Sequence, residues 1–152
     1  VLCWRLGASK PGTIQEEEWE MLEECDELPT CGEDPPTVEA LKQGWGRLDP
    51  AFLDNDEFRP FFKFCFEFNR EGTKKFLERD TAATLLPLCI ENRSHHTALF
   101  VDFLNTQPED FKLNKDQWCS FLDFSFEIGP SPDFDGWNAE QSSWPILLDD
   151  FV

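Results

Sequence analysis

The 152 residues predict an all-α protein, on three observations. Apolar residues recur at helical spacing along most of the chain. Three capping-box patterns, Thr13-x-x-Glu16, Asp54-x-x-Glu57 and Asn114-x-x-Gln117, each precede such a stretch. No alternation of apolar and polar residues is long enough to make a useful strand. With 40% apolar residues, sixteen Phe and six Trp, one ordinary domain can bury a sizeable core.

Taken in order, a short helix runs from about Leu2 to Ala8 and stops near Pro11-Gly12. The box at Thr13 opens a helix from Gln15 to Cys25, with Trp19 and Leu22 three apart. Pro29 to Pro36 reads as a loop. Thr37 caps a helix through Ala40, Leu41 and Trp45, loosened by Gly44 and Gly46. Asp54 opens the strongest helix: Phe58, Phe61, Phe62, Cys65 and Phe68 form one broad face. Phe64 and Phe66 lie outside it, so this helix is expected to be buried on more than one side. After a turn at Gly72, a helix from about Asp80 to Ile90 contains Pro87, which predicts a kink or an early break. Ser94 is placed to cap the next helix, with Leu99, Phe100, Phe103 and Leu104 inward. Pro108 to Leu113 is a loop. Trp118, Phe121, Leu122 and Ser125 then make one face of a helix ending near Gly129. A Pro/Gly/Asp loop to Ser142 follows, and Pro145 suits the first position of a last helix.

Charge is distributed unevenly. Residues 1–41 hold two bases and eleven acids; residues 42–115 hold eleven and twelve; after Lys115 there are eight acids and no Lys or Arg. The net charge of −18 excludes a protein that tracks phosphates, which needs a basic footprint, and so argues against nucleic acid. No apolar run approaches the ~20 residues of a membrane span, and no secretory leader pattern opens the chain. Val1 begins inside a helical pattern, so the chain reads as a piece of a longer gene product. Cys3, Cys25, Cys31, Cys65, Cys89 and Cys119 form no CxxC and no disulfide framework. Three of them sit in apolar helical patterns, as expected of a reduced cytoplasmic or nuclear protein.

Catalytic chemistry finds little support. A calcium loop starting at Asp54 would place Arg59 and Cys65 at its sixth and twelfth positions, and one starting at Asp133 would place Asn138 and Trp144 there. Neither supplies the required Gly and bidentate Glu. His95 and His96 point about 100° apart on a helix and read as exposed residues of a first turn, not zinc ligands. Cys89 with His95 could form a nucleophile pair, but no oxyanion-hole signal accompanies them. No catalytic residue, metal or cofactor is assigned.

What remains is the end of the chain, Lys115-Asp116-Gln117-Trp118 and Trp144-Pro145-Ile146-Leu147-Leu148-Asp149-Asp150-Phe151-Val152. Trp118, Phe121, Trp144, Leu147, Leu148 and Phe151 can clamp two helices together. Asp116 has a folding role in its first turn. Asp149 and Asp150, late in the last helix, face an unfavourable dipole and are better candidates for binding.

These two segments closely resemble the defective-in-cullin-neddylation family and its potentiating-neddylation domain. The Phe61–Phe68 stretch (FFKFCFEF) is similar to its aromatic central helix, and Leu2-Cys3-Trp4-Arg5 to an earlier apolar-Trp-basic stretch. The resemblance covers residues 1–152, with a first helix and a few last residues of the family's domain outside them. It implies two EF-hand-like helical lobes without functional calcium loops. It also implies a non-catalytic co-ligase that binds a cullin's C-terminal winged-helix domain and the neddylation-modifier conjugating enzyme. The family's Asp-Ala-Asp cullin patch falls on Asp116, Ser143 and Asp149, with Asp150 adjoining. Ser143 therefore stands where the family has Ala, and Asn138-Ala139-Glu140-Gln141 where it has Tyr-Asp. Residues lining the conjugating-enzyme pocket fall on Leu2, Ile14, Phe68 and Leu88. The competing readings are a helical adaptor of the same fold with a different basic or apolar-helix partner, and an enzyme using the Cys–His pair.

Overall fold

The computed structural model describes residues 1–21, 37–131, 133–138 and 143–152. It is mostly helical: α1 (Leu2–Arg5), α2 (Glu16–Glu20), α3 (Val38–Gly44), α4 (Asn55–Asn69), α5 (Arg79–Ile90), α6 (Thr97–Thr106), α7 (Lys115–Ile128) and α8 (Ile146–Phe151). Two 3-10 turns, Trp45–Leu48 and Pro50–Phe52, join α3 to α4. The chain divides into two compact units, Val1–Phe64 and Cys65–Val152, with α4 spanning the boundary. The loop expected at Pro29–Pro36 and the end of the helix expected to reach Cys25 lie outside the described residues.

In the first unit, α1 ends earlier than its apolar pattern suggests. The Ala8 amide donates to the Cys3 carbonyl at 2.8 Å and the Gly7 amide to the Trp4 carbonyl at 3.1 Å. Gly7, at φ +60°, supplies the left-handed residue this helix-ending turn requires. The next box also moves. The Gln15 amide, not that of Thr13, donates to a Glu18 oxygen at 2.8 Å, while Thr13 is held in a bridge with Lys10 across Pro11-Gly12. Leu6, Leu41 and Leu48 form a small core, with Val1, Leu2 and Trp19 against it. Trp4 meets Phe61 edge-on at 5.8 Å, and Arg5 pairs with Glu57 at 2.8 Å. The Asp54 box is made as read: the Glu57 amide donates to Asp54 at 2.8 Å and the Asp54 amide to Glu57 at 3.4 Å. Phe58, Phe61 and Phe62 are buried.

In the second unit the all-α expectation needs one correction. Strands β1 (Phe76–Glu78) and β2 (Lys112–Asn114) pair antiparallel, with Leu77 opposite Leu113. Both leucines are buried. A three-residue strand contributes one inward side chain, too little for a period of two to show. Each strand runs directly into a helix, β1 into α5 and β2 into α7. Helix α5 continues through Pro87 to Ile90, so the early break does not occur. The proline removes a single i→i−4 bond, its own to the Ala83 carbonyl, and the helix continues past it.

On α6, Thr97, Phe100 and Leu104 are buried, Phe103 is half-buried, and Leu99 faces out at 46% exposure, against the expected inward position. Ser94 is not the cap. His96 precedes α6, and the buried Ser94 hydroxyl donates to Ser125 at 2.8 Å. Trp118, Phe121, Leu122 and Ser125 are buried on α7 as expected, joined by Phe124 and Ile128. Phe66 is also buried, 6.1 Å from Trp118, which agrees with burial of α4 beyond its main stripe. Among the described residues no helix is long and apolar enough to cross a membrane.

Candidate functional site

The end of the chain is organised by aromatic packing. Phe100 and Phe121 stack at 4.1 Å. Phe151 of α8 meets Phe100 at 5.0 Å, Phe124 at 5.8 Å and Phe121 at 6.5 Å. Leu147 and Leu148 are buried. The expected clamp between α7 and α8 is thus made, with Trp144 packed edge-on against Phe124 at 6.3 Å.

This clamp leaves the polar residues of both motifs outside. Asp116 is exposed in the first turn of α7, beyond a complete capping box. The Gln117 amide donates to Asn114 Oδ1 at 2.9 Å, and the Asn114 amide to Gln117 Oε1 at 3.0 Å. Ser143, Asp149 and Asp150 are exposed before and along α8. Asp149 falls in the first turn of this six-residue helix, so the dipole argument made from its late position does not apply to it. Lys115, the last base in the chain, is engaged by Glu67 at 2.6 Å. After Lys115 the sequence holds eight acids and no Lys or Arg.

The sequence places a loop before α8 but does not show how its described residues are anchored. It is pinned by aromatics: Trp137 stacks on Trp144 at 6.2 Å and meets Phe124 at 5.4 Å. Phe134, at φ +52°, meets Phe124 at 6.0 Å and Phe151 at 5.3 Å. His96 completes this layer. It is 1% exposed, not a surface residue, stacks on Phe134 at 5.0 Å, and lies 2.7 Å from the Gly129 carbonyl through Nε2. A carbonyl only accepts, so the proton is assigned to Nε2. The available signal was two aromatics, Phe134 and Trp137, three apart in an otherwise polar stretch.

The residues assigned to the conjugating-enzyme pocket divide between the units. Leu2 is half-buried against the small core of the first unit, and Ile14 is 37% exposed there. In the second unit Phe68 is half-buried. Leu88, 71% exposed, lines a surface cavity of about 420 Å³ with Asn69, Asp80, Thr81, Thr84 and Leu85. A large aliphatic side chain on a cavity wall is what an apolar ligand group needs.

The Cys–His pair is not formed as a reactive unit. Cys89 is buried beside Cys65, and His95 is exposed. A hydrogen bond with Cys65 and burial both push the Cys89 thiol far above its ordinary range, the opposite of what a nucleophile requires.

The sequence profile described as "Cullin binding" matches residues 40–152. The chain is 32% identical over 152 residues to DCN1-like protein 4 of Danio rerio and to that of Homo sapiens, covering all of this chain and 50% and 48% of theirs. It is 34% identical over 157 residues to DCN1-like protein 2 of Dictyostelium discoideum, covering 99% of this chain and 53% of that protein. The chain thus spans about half the length of these relatives. With the profile matching most of its residues and both C-terminal motifs in place, the chain belongs to the cullin-binding, defective-in-cullin-neddylation family.

Proposed function

We propose that this chain acts as a non-catalytic scaffold for cullin neddylation, binding the basic winged-helix domain of a cullin through Asp116, Ser143, Asp149 and Asp150. The observation that carries this reading is the exposure of these residues, in both family motifs, on a stretch that contains no Lys or Arg after Lys115. Exposed carboxylates in a stretch of sequence without bases favour a cationic partner, raising the encounter rate and fixing register. The conjugating enzyme, carrying its modifier as a thioester, is the second partner. In the second unit Leu88 and its cavity, and Phe68, supply apolar contacts for it; Leu2 and Ile14 are the candidates that the first unit offers. Holding thioester and acceptor lysine together accelerates transfer by proximity and orientation, and requires no proton transfer or nucleophile from the scaffold.

The succession α4–β1–α5 and α6–β2–α7, two helix–loop–helix units whose loops pair through short strands, supports the EF-hand-like reading of the fold. Residues 1–152 are read as one potentiating-neddylation-like domain, working where cullins are modified, in cytoplasm and nucleus.

The test is calorimetric titration of this chain with a cullin winged-helix domain at two salt concentrations. Binding that weakens with salt is expected. The double substitution Asp116→Lys, Asp149→Lys should abolish it with far-UV helicity unchanged, and binding that survives the double reversal rules out the acidic patch. Ser143, a hydroxyl in place of the family's Ala, favours a second reading, an adaptor of the same fold with another basic partner. Absence of cullin binding at low salt, with the fold intact, would select it.

A further inference from the structure

We infer that Ile146 is the apolar contact residue of the partner-binding face of α8, set one turn before its two carboxylates as the part of that face that becomes dry on binding. The inference rests on the cullin-binding reading above and adds a residue to it that neither the acidic motif nor its charge supplies. Helix α8 has two faces. Leu147 and Leu148 are buried at 6% and 0% exposure, and Phe151 packs among Phe100, Phe103, Phe121 and Phe124. The opposite face consists of Ile146, Asp149 and Asp150, spaced i, i+3 and i+4 so that they stand together.

Ile146 is 75% exposed, the highest exposure of any large hydrophobic residue among those described. Folding gives no reason for it. An isoleucine that buries little contributes little hydrophobic stabilisation, and alanine is the better helix former. Single exposed apolar residues are common on protein surfaces. This one is distinguished by its place, one turn before two exposed carboxylates in a stretch without bases. That juxtaposition selects the chemistry of the partner: a protein surface carrying an apolar side chain flanked by Lys or Arg. Covering Ile146 would exclude water from the flanking pairs, and hydrogen-bonded ion pairs gain most where they are partly desolvated. The carboxylates would then govern encounter and salt dependence, and the isoleucine residence time.

Titration of a cullin winged-helix domain with three forms of the chain separates these roles. Ile146→Ala should bind about tenfold more weakly at both salt concentrations, with the salt slope of the parent chain retained. Asp149→Lys should weaken binding and flatten that slope. Since Ile146 is exposed at the first position of α8, its truncation leaves the core untouched, and far-UV spectra should coincide. If Ile146→Ala binds as tightly as the parent while Asp149→Lys does not, the isoleucine contact is wrong and the acidic patch stands. If the parent chain does not bind at low salt, the cullin reading fails and the inference falls with it.

Discussion

His96 and Glu18 show how far a single side chain departs from its sequence context. On sequence, His96 looked like one half of an exposed pair. Its ring is buried between Phe124 and Phe134 and tied to Gly129, closing the layer under α8. Nothing in a linear pattern distinguishes it from His95, because the groups that bury it lie some thirty residues downstream. Glu18 works on a shorter range. Its carboxylate accepts from the Gln15 amide and from the Ser9 amide, both at 2.8 Å. These bonds, that of Gln15 first, hold its pKa below the ordinary 4.5. A carboxyl with a lower pKa in the folded chain stabilises it fully above its unfolded pKa. That contribution is lost as pH falls through 4.5 and on past the lowered folded value. Glu18→Gln should therefore lose less thermal stability than the parent chain between about pH 6 and about pH 3. Equal losses in scans at those two pH values would show that the bonds contribute nothing.

At the scale of elements, legibility followed hydrogen-bond range. Two of three capping boxes were found where their residues predicted, because a box closes within four residues. The third shifted to Gln15, since Thr13 is taken up in the turn around Pro11-Gly12. The aromatic stripe of α4 was equally plain. The β1–β2 pair was not, because its partners are distant in sequence and each strand turns only one leucine inward. Asn114 links this scale to the proposed site: it ends β2, caps α7 and sets the turn that carries Asp116. Asn114→Ala should cost about 1 kcal/mol of stability, read from denaturant midpoints, and should weaken cullin binding less than Asp116→Lys does.

For the whole molecule the dominant fact is a net charge of −18. Self-repulsion among so many acids opposes compaction, and salt screens it over about 10 Å at 0.1 M. The local ion pairs are mostly exposed and contribute little each: Lys74 with Glu71 at 2.8 Å and Glu78 at 3.0 Å, and Arg70 with Glu67 at 2.9 Å. Raising sodium chloride from about 0.05 to about 0.5 M should therefore raise the melting temperature while weakening cullin binding. A melting temperature that falls with salt would mean that the ion pairs outweigh the repulsion.

By itself, the sequence determined the helical class, the main aromatic helix, the acidic end and the family, through its two C-terminal motifs. Each is carried by residue type at short spacing. Only the tertiary structure decided which apolar residues face out. Leu99, Leu88 and Ile146 are as hydrophobic as their buried neighbours, and a helix's pattern does not say how many of its faces are covered. It also decided that the polar loop before α8 is pinned by Phe134 and Trp137, and that Cys89 is an inert buried thiol. These outcomes depend on which distant segments meet, and that is settled by packing as a whole.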